Sequence, residues 1–123
     1  MKIVSAKTAP EAIGPYSQAV IANGFIFTSG QIALTSDGKF LDEDIKVQTE
    51  QVLKNLSEIL ISGGSSLEKV VKTTIFLADI NDFATVNEIY AKVFGRHKPA
   101  RSTVGVKSLP KNAKVEIEAV AIV

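Results

Sequence analysis

At 123 residues the chain has room for one domain, residues 1–123, with a real hydrophobic core. Its 14 Lys and Arg against 13 Asp and Glu give a net charge of +1, without the concentrated positive charge that draws nucleic acid or anionic membrane. No cysteine is present, which excludes disulfides, thiolate nucleophiles and cysteine-ligated metals, and no run approaches the ~20 apolar residues of a bilayer span. The start, Met1-Lys2-Ile3-Val4-Ser5-Ala6-Lys7, lacks the apolar stretch of a signal peptide, so a cytoplasmic protein is the default expectation.

Ala19–Ala22 and Phe25–Thr28 flank Asn23-Gly24, a two-residue turn whose positions both need positive φ, and so predict a hairpin. The second strand is expected to run through Gly30 toward Ile32-Ala33-Leu34, with a turn at Thr35–Lys39. From about Asp44 to Ser62, Ile45, Val52, Leu53, Leu56, Ile59 and Leu60 recur at helical spacing until Gly63-Gly64 stops the helix. Val70–Leu77, rich in β-branched residues, reads as a central strand. Asn81-Asp82 offers an N-cap to a second helix with the stripe Phe83, Val86, Tyr90, Val93 and Phe94, ended by Gly95. Two strands close the chain, at about Ser102–Val106 and Lys114–Ile122, around a Leu109–Asn112 turn. The order β-β-α-β-α-β-β predicts an α+β fold: a mixed sheet with two helices on one face.

Two helices cover only one side of such a sheet, yet its strands are apolar at both parities. Phe25 and Phe27 face opposite to Ile26, and in the last strand Val115, Ile117, Ala119 and Ala121 alternate with Glu116, Glu118, Val120 and Ile122. An uncovered apolar face is best hidden by another copy of the chain, which predicts a homo-oligomer with sites where subunits meet.

The chain is poor in catalytic groups. Its one histidine, His97, sits between Arg96 and Lys98 and reads as a solvated loop residue; paired-imidazole chemistry has no second partner. Gly63-Gly64-Ser65-Ser66 lacks the lysine and the preceding strand of a phosphate loop. Glu116 and Glu118 share one side of a strand, but no further ligand spacing supports a metal. None of the serines stands in a nucleophile elbow. What remains is Arg101, in Lys98-Pro99-Ala100-Arg101-Ser102-Thr103. Composition alone reads it as a surface arginine, whereas its setting among proline and strand formers suits a two-pronged grip on a carboxylate. Glu116, on the strand that follows, is the candidate for handling water or protons beside it. Asn87 falls on the stripe of the second helix and is expected to be buried, bracing a helix or loop or, as the rarer alternative, touching a ligand. Gly30 marks a bulge or a close approach, and Tyr16 either packs or lines a pocket.

These segments resemble the YjgF/YER057c family, the reactive intermediate deaminases of the RidA type. The matching pieces run along nearly the whole chain in the family's order: Ala12–Ala19, Thr28–Ile32, Val71–Leu77, Asn81–Asn87, Pro99–Ser102 and Val115–Ala119. The resemblance implies a chorismate-mutase-like fold and a homotrimer with clefts between subunits. It implies hydrolysis of short 2-imino acids, released by pyridoxal-phosphate enzymes, to 2-keto acids and ammonia, with no cofactor or metal. By the same resemblance Arg101 binds the substrate carboxylate and Glu116 activates water or carries a proton. Tyr16 lines the pocket, the Ser29-Gly30 backbone cradles the ligand and Asn87 braces the wall. The chain departs from many members in having Thr103 two positions after the arginine, where they have cysteine; this removes a thiol and keeps a hydroxyl able to hold water. Two other readings compete: an RNA-directed endoribonuclease or translation inhibitor, which the near-neutral charge and lone histidine disfavour, and a trimer that binds small carboxylates without turnover.

Overall fold

A computed structural model describes residues 1–123. Its strands are β1 (Lys2–Val4), β2 (Ala19–Ala22), β3 (Phe25–Thr28), β4 (Val70–Leu77), β5 (Ala100–Gly105) and β6 (Val115–Ile122); its helices are α1 (Ile45–Ser62) and α2 (Phe83–Phe94). All six strands form one sheet in the order β1-β2-β3-β6-β4-β5, antiparallel except for the parallel pair β4–β5 joined through α2. The expected α+β layout holds, with an additional N-terminal strand. Only three residues long, with its first two residues exposed, β1 carries too little pattern to announce itself.

The β2–β3 hairpin turns at Asn23 (φ 51°) and Gly24 (φ 79°), the positive pair that suits the right-handed twist of the strands. The strand does not continue through Gly30 as its composition suggests: β3 ends at Thr28, and the chain rejoins the sheet only as a single bridge, Gln31 to Ile117. Helix α1 starts where Asp44 accepts a bond from the Val47 N–H (2.9 Å) and closes where Ser65 N–H reaches back to Leu60 O (2.8 Å) across Gly64 (φ 83°). Helix α2 is entered through a short 3₁₀ turn at Ile80–Asp82, and the capping side chain belongs to Asp79, which accepts from the Asn81 N–H; Asp82 makes no capping bond.

Ile26, Ile75, Leu77, Val115, Ile117 and Ala121 face the helices and are fully buried against Val52, Leu56, Ile59, Leu60 and Val86. Removing this surface from water, at ~25 cal/mol per Å², is the main favourable contribution to the fold. Where α1 and the loops need polar ties, buried amides supply them: Asn55 donates to Leu34 O (2.8 Å), and Gln48 Oε1 accepts from the Lys114 N–H (2.9 Å). The other face of the sheet stays bare. Phe25 (40% exposed), Phe27 (43%), Val104 (42%) and Ile122 (48%) line it in one chain. No helix is long and apolar enough to cross a membrane.

Candidate functional site

Arg101 and Glu116 do not meet within one chain. In the parallel pair β4–β5, Arg101 stands opposite Thr73, whose side chain is fully buried beneath the helices, so Arg101 points to the helical side. Glu116 stands opposite Phe76, one residue out of phase with buried Ile75 and Ile117, so it points to the bare side. The two strands are not neighbours either, because β4 lies between them. The strand that follows β5 along the chain is thus not its neighbour in the sheet: β5 and β6 pair with opposite edges of β4.

On the helical side, α2 grips Arg101. Asn87 Oδ1 accepts from Arg101 Nη1 at 2.8 Å. The guanidinium carbon lies 4.9 Å from the centre of the Tyr90 ring and 5.4 Å from that of Phe83, each a cation–π contact of ~0.5–2 kcal/mol. Asn87 is exposed rather than buried; it faces across the sheet edge to the arginine instead of inward, so the bracing role expected of it is exercised on Arg101. Tyr90 is buried, and its hydroxyl shares a 2.7 Å hydrogen bond with Thr73 Oγ1. Burial pushes its phenol above the ordinary value, opposed by the Thr73 bond and the Arg101 charge. Asn87, Tyr90, Phe94, His97, Lys98 and Arg101 line a cleft of about 400 Å³ that no carboxylate borders. His97 is not the solvated residue its neighbours suggest: half-buried, it hydrogen-bonds Val70 O through Nε2 at 2.6 Å, which assigns the proton to that nitrogen. Thr103, on the same side of β5, keeps a buried hydroxyl with no hydrogen-bond partner.

On the bare side, Glu116 is half-buried in a cleft of about 320 Å³ that Tyr16, Gly30, Gln31 and Lys111 also line. Burial raises its pKa above the ordinary carboxylate value, and the neighbouring charge of Glu118 raises it further. Gly30 explains itself here: a Cβ at this position would overlap the Glu116 carboxylate, so the glycine exists for a close approach. The Ser29 N–H donates to Gln18 O (2.8 Å) and its hydroxyl to Ser17 O (2.6 Å), which fixes the loop. No hydrogen bond within the chain uses the Gly30 backbone. Tyr16 is 54% exposed, its ring at the mouth of the cleft. Sequence reading did not single out Tyr90, Phe83 or Lys111 for the site. The first two satisfy the apolar period of α2 and read as core, and Lys111 lies in a turn with left-handed φ. No group of three or more His, Asp or Glu is placed to hold a metal.

The fold and these clefts define a small α+β domain with a cationic cleft on one side of its sheet and a carboxyl-bearing one on the other. The chain belongs to the Endoribonuclease L-PSP family, that of the YjgF and RidA proteins; the family's model matches residues 6–123. It is 56% identical over 121 residues to Reactive Intermediate Deaminase A, chloroplastic, of Arabidopsis thaliana, covering 98% of this chain and 65% of that one. It is 49% identical over 122 residues to the 2-iminobutanoate/2-iminopropanoate deaminase of Homo sapiens, covering 98% and 89%. Among solved structures, yeast Mmf1 superposes with a TM-score of 0.96 at 49% identity (98% and 97% covered). TdcF of E. coli with bound serine gives 0.94 at 42% identity (100% and 99%).

Proposed function

We propose that this chain is an imine deaminase that hydrolyses short 2-imino acids and their enamine tautomers to 2-keto acids and ammonia, in clefts formed between copies of itself. The observation that carries the reading is the division of the site: a stacked, tethered guanidinium on one side of the sheet and a carboxyl of raised pKa on the other. Neither half suffices, and the bare apolar face offers the means of bringing the Glu116 side of one chain against the Arg101 side of the next. A homotrimer closes such a heterologous contact into a ring. The two deaminases named above share about half of this sequence over nearly all its length. The serine held by TdcF has the size and carboxylate of the proposed substrates.

The chemistry asks little of the protein. The imine carbon is electrophilic, more so when its nitrogen is protonated. The Arg101 guanidinium holds the substrate carboxylate through the N–H donors that Asn87 leaves free. Glu116 accepts a proton from the attacking water as the C–O bond forms, giving a tetrahedral carbinolamine. The same carboxyl returns the proton to the nitrogen and then takes the proton of the carbinolamine hydroxyl as C=O forms and the C–N bond breaks, so that ammonia and the 2-keto acid leave. Its pKa, raised by burial and by the charge of Glu118, makes it hold the accepted proton more firmly than a solvated carboxylate would, until the nitrogen takes it. Tyr16 and the Gly30 backbone line the Glu116 side, and the unpartnered Thr103 hydroxyl is available to a ligand on the Arg101 side. A cytoplasmic setting belongs to this proposal; relatives bear the words chloroplastic and mitochondrial in their names.

The test is complementation. Arg101→Ala and Glu116→Gln are each expected to lose ammonia release from 2-iminobutanoate generated in situ. Mixed after reversible dissociation, the two are expected to recover about one quarter of wild-type activity, because some clefts then join an intact Arg101 to an intact Glu116. Mixtures as inactive as their components refute the shared cleft, and a wild type that leaves the imine's decay unchanged refutes the deaminase. Cleavage of RNA by wild type, lost in Arg101→Ala, would instead support the activity in the family's description.

A further inference from the structure

We propose that Tyr90, pinned through its hydroxyl to Thr73, is a positioning residue that sets the plane of the Arg101 guanidinium for two-pronged binding of a carboxylate. The inference rests on Arg101 as the carboxylate anchor and concerns what aims it. Thr73 and Arg101 are direct partners across the parallel pair β4–β5, so their side chains stand side by side on the helical face. The Tyr90 hydroxyl is bonded at 2.7 Å to the first of these, and the Tyr90 ring lies 4.9 Å from the guanidinium carbon of the second. The ring is thus held at its tip by the residue next to the arginine that it carries.

Phe83, Asn87 and Tyr90 occupy positions i, i+4 and i+7 of α2 and so present one face to Arg101. Phe83 and Tyr90 supply apolar surfaces, and Asn87 takes one N–H. The guanidinium is left with its other donors and little freedom to turn. Packing alone does not require the hydroxyl. Phe94, one turn further on and 4.5 Å from Tyr90 ring to ring, is buried to the same extent without one. A phenol buried here is desolvated, and the bond to Thr73 compensates that cost while fixing the tilt of the ring.

A carboxylate is held by two parallel N–H···O bonds only when the plane of the fork is right, and a lysine ammonium has no such plane. Carboxylate binding persists through the reaction, so loss of alignment is expected to raise KM and leave kcat nearly unchanged.

The experiment measures calorimetric binding of 2-ketobutanoate, a stable carboxylate, alongside hydrolysis of 2-iminobutanoate. It uses Tyr90→Phe, Thr73→Val and their combination, each also in an Arg101→Lys background, with Thr73→Ser as the hydroxyl-keeping variant. Either single change is expected to raise Kd and KM about 3- to 10-fold. The combination is expected to do no more than either alone, since both remove one bond. Thr73→Ser should bind as wild type, and Tyr90→Phe should have no further effect once Arg101→Lys has removed the planar fork. Unchanged Kd in Tyr90→Phe, equal losses in Thr73→Ser and Thr73→Val, or the full Tyr90→Phe effect in the Arg101→Lys background would each overturn the proposal, the last by showing a role that does not pass through the guanidinium. Wild type that binds 2-ketobutanoate but does not hydrolyse the imine would remove the deaminase and leave the binding arm decisive. Wild type that binds no carboxylate would overturn the positioning role itself.

Discussion

The cleft around Arg101 and the cleft around Glu116 are built in opposite ways. Arg101 lies on an edge strand, yet it is fixed by a helix: two rings stack on it, an amide takes one of its donors, and a hydroxyl bond holds one of the rings. Glu116 lies on a central strand, yet no side chain hydrogen-bonds its carboxylate; Gly30, Tyr16, Gln31 and Lys111 share its cleft, and the carboxylate of Glu118 is nearby. One region uses its contacts for orientation. The other keeps its carboxyl partly desolvated and unpaired, which raises its pKa above the ordinary carboxylate value and makes it a readier proton carrier. A grip and a proton carrier need these different surroundings, and one sheet provides both by using its two faces.

Substitutions on the two sides should therefore fail in different ways. The largest loss is expected from Glu116→Gln, which removes the proton carrier: kcat falls about 10²- to 10⁴-fold while 2-ketobutanoate binding changes little. Arg101→Ala should lower kcat/KM by about 10- to 150-fold, the equivalent of ~1.5–3 kcal/mol for a charge-assisted bond, and weaken keto-acid binding in parallel. Were both variants to lose binding and turnover alike, the division of labour would be wrong. Gly30→Ala sharpens the comparison further. Its methyl group displaces the flexible Glu116 carboxylate rather than backbone, so activity should drop while the thermal midpoint barely moves. Asn87→Ala, which deletes one exposed tether, should raise KM only about 2- to 4-fold.

Acidity offers a separate check. Glu116 binds its proton more tightly in the folded chain than in the unfolded one. Its contribution to stability is full below the ordinary glutamate pKa and is lost as pH rises through the raised folded value. Chemical denaturation across that window should show stability declining with pH in wild type, and the decline should shrink in Glu116→Gln. The rate should follow the opposite course: an acidic limb, displaced upward from the usual carboxylate range, that disappears in the glutamine variant.

Local features of the fold were legible because they are encoded locally. Asn23-Gly24 specifies its turn through two positive φ values, α1 begins at Asp44 and stops at the paired glycines, and the alternation of β6 separates Ile117 from Glu116 without help from any other strand. The insertion of β6 between β3 and β4 was not legible, because strand pairing is decided by contacts far apart in sequence, and with it went the relative placement of Arg101 and Glu116. Tyr90 escaped notice for another reason: a residue that both fills the core and carries an arginine satisfies the helical period and leaves no irregularity to detect. Asn87 produced the reverse error. It broke the pattern, which correctly marked it, but its position on the stripe suggested burial where the helix in fact turns it toward the sheet edge.

Strand β5 pairs with β4 along one side only, and its outer backbone groups have no strand beside them within the chain. The segment that carries the anion grip is thus joined to the sheet by a single seam, whereas β6 is stitched on both flanks. Amide protons of β5 should exchange with deuterated solvent sooner than those of β6, and a carboxylate seated on Arg101 should slow them selectively. A stopwatch on those few amides would register occupancy of the cleft even in a variant that can no longer turn anything over.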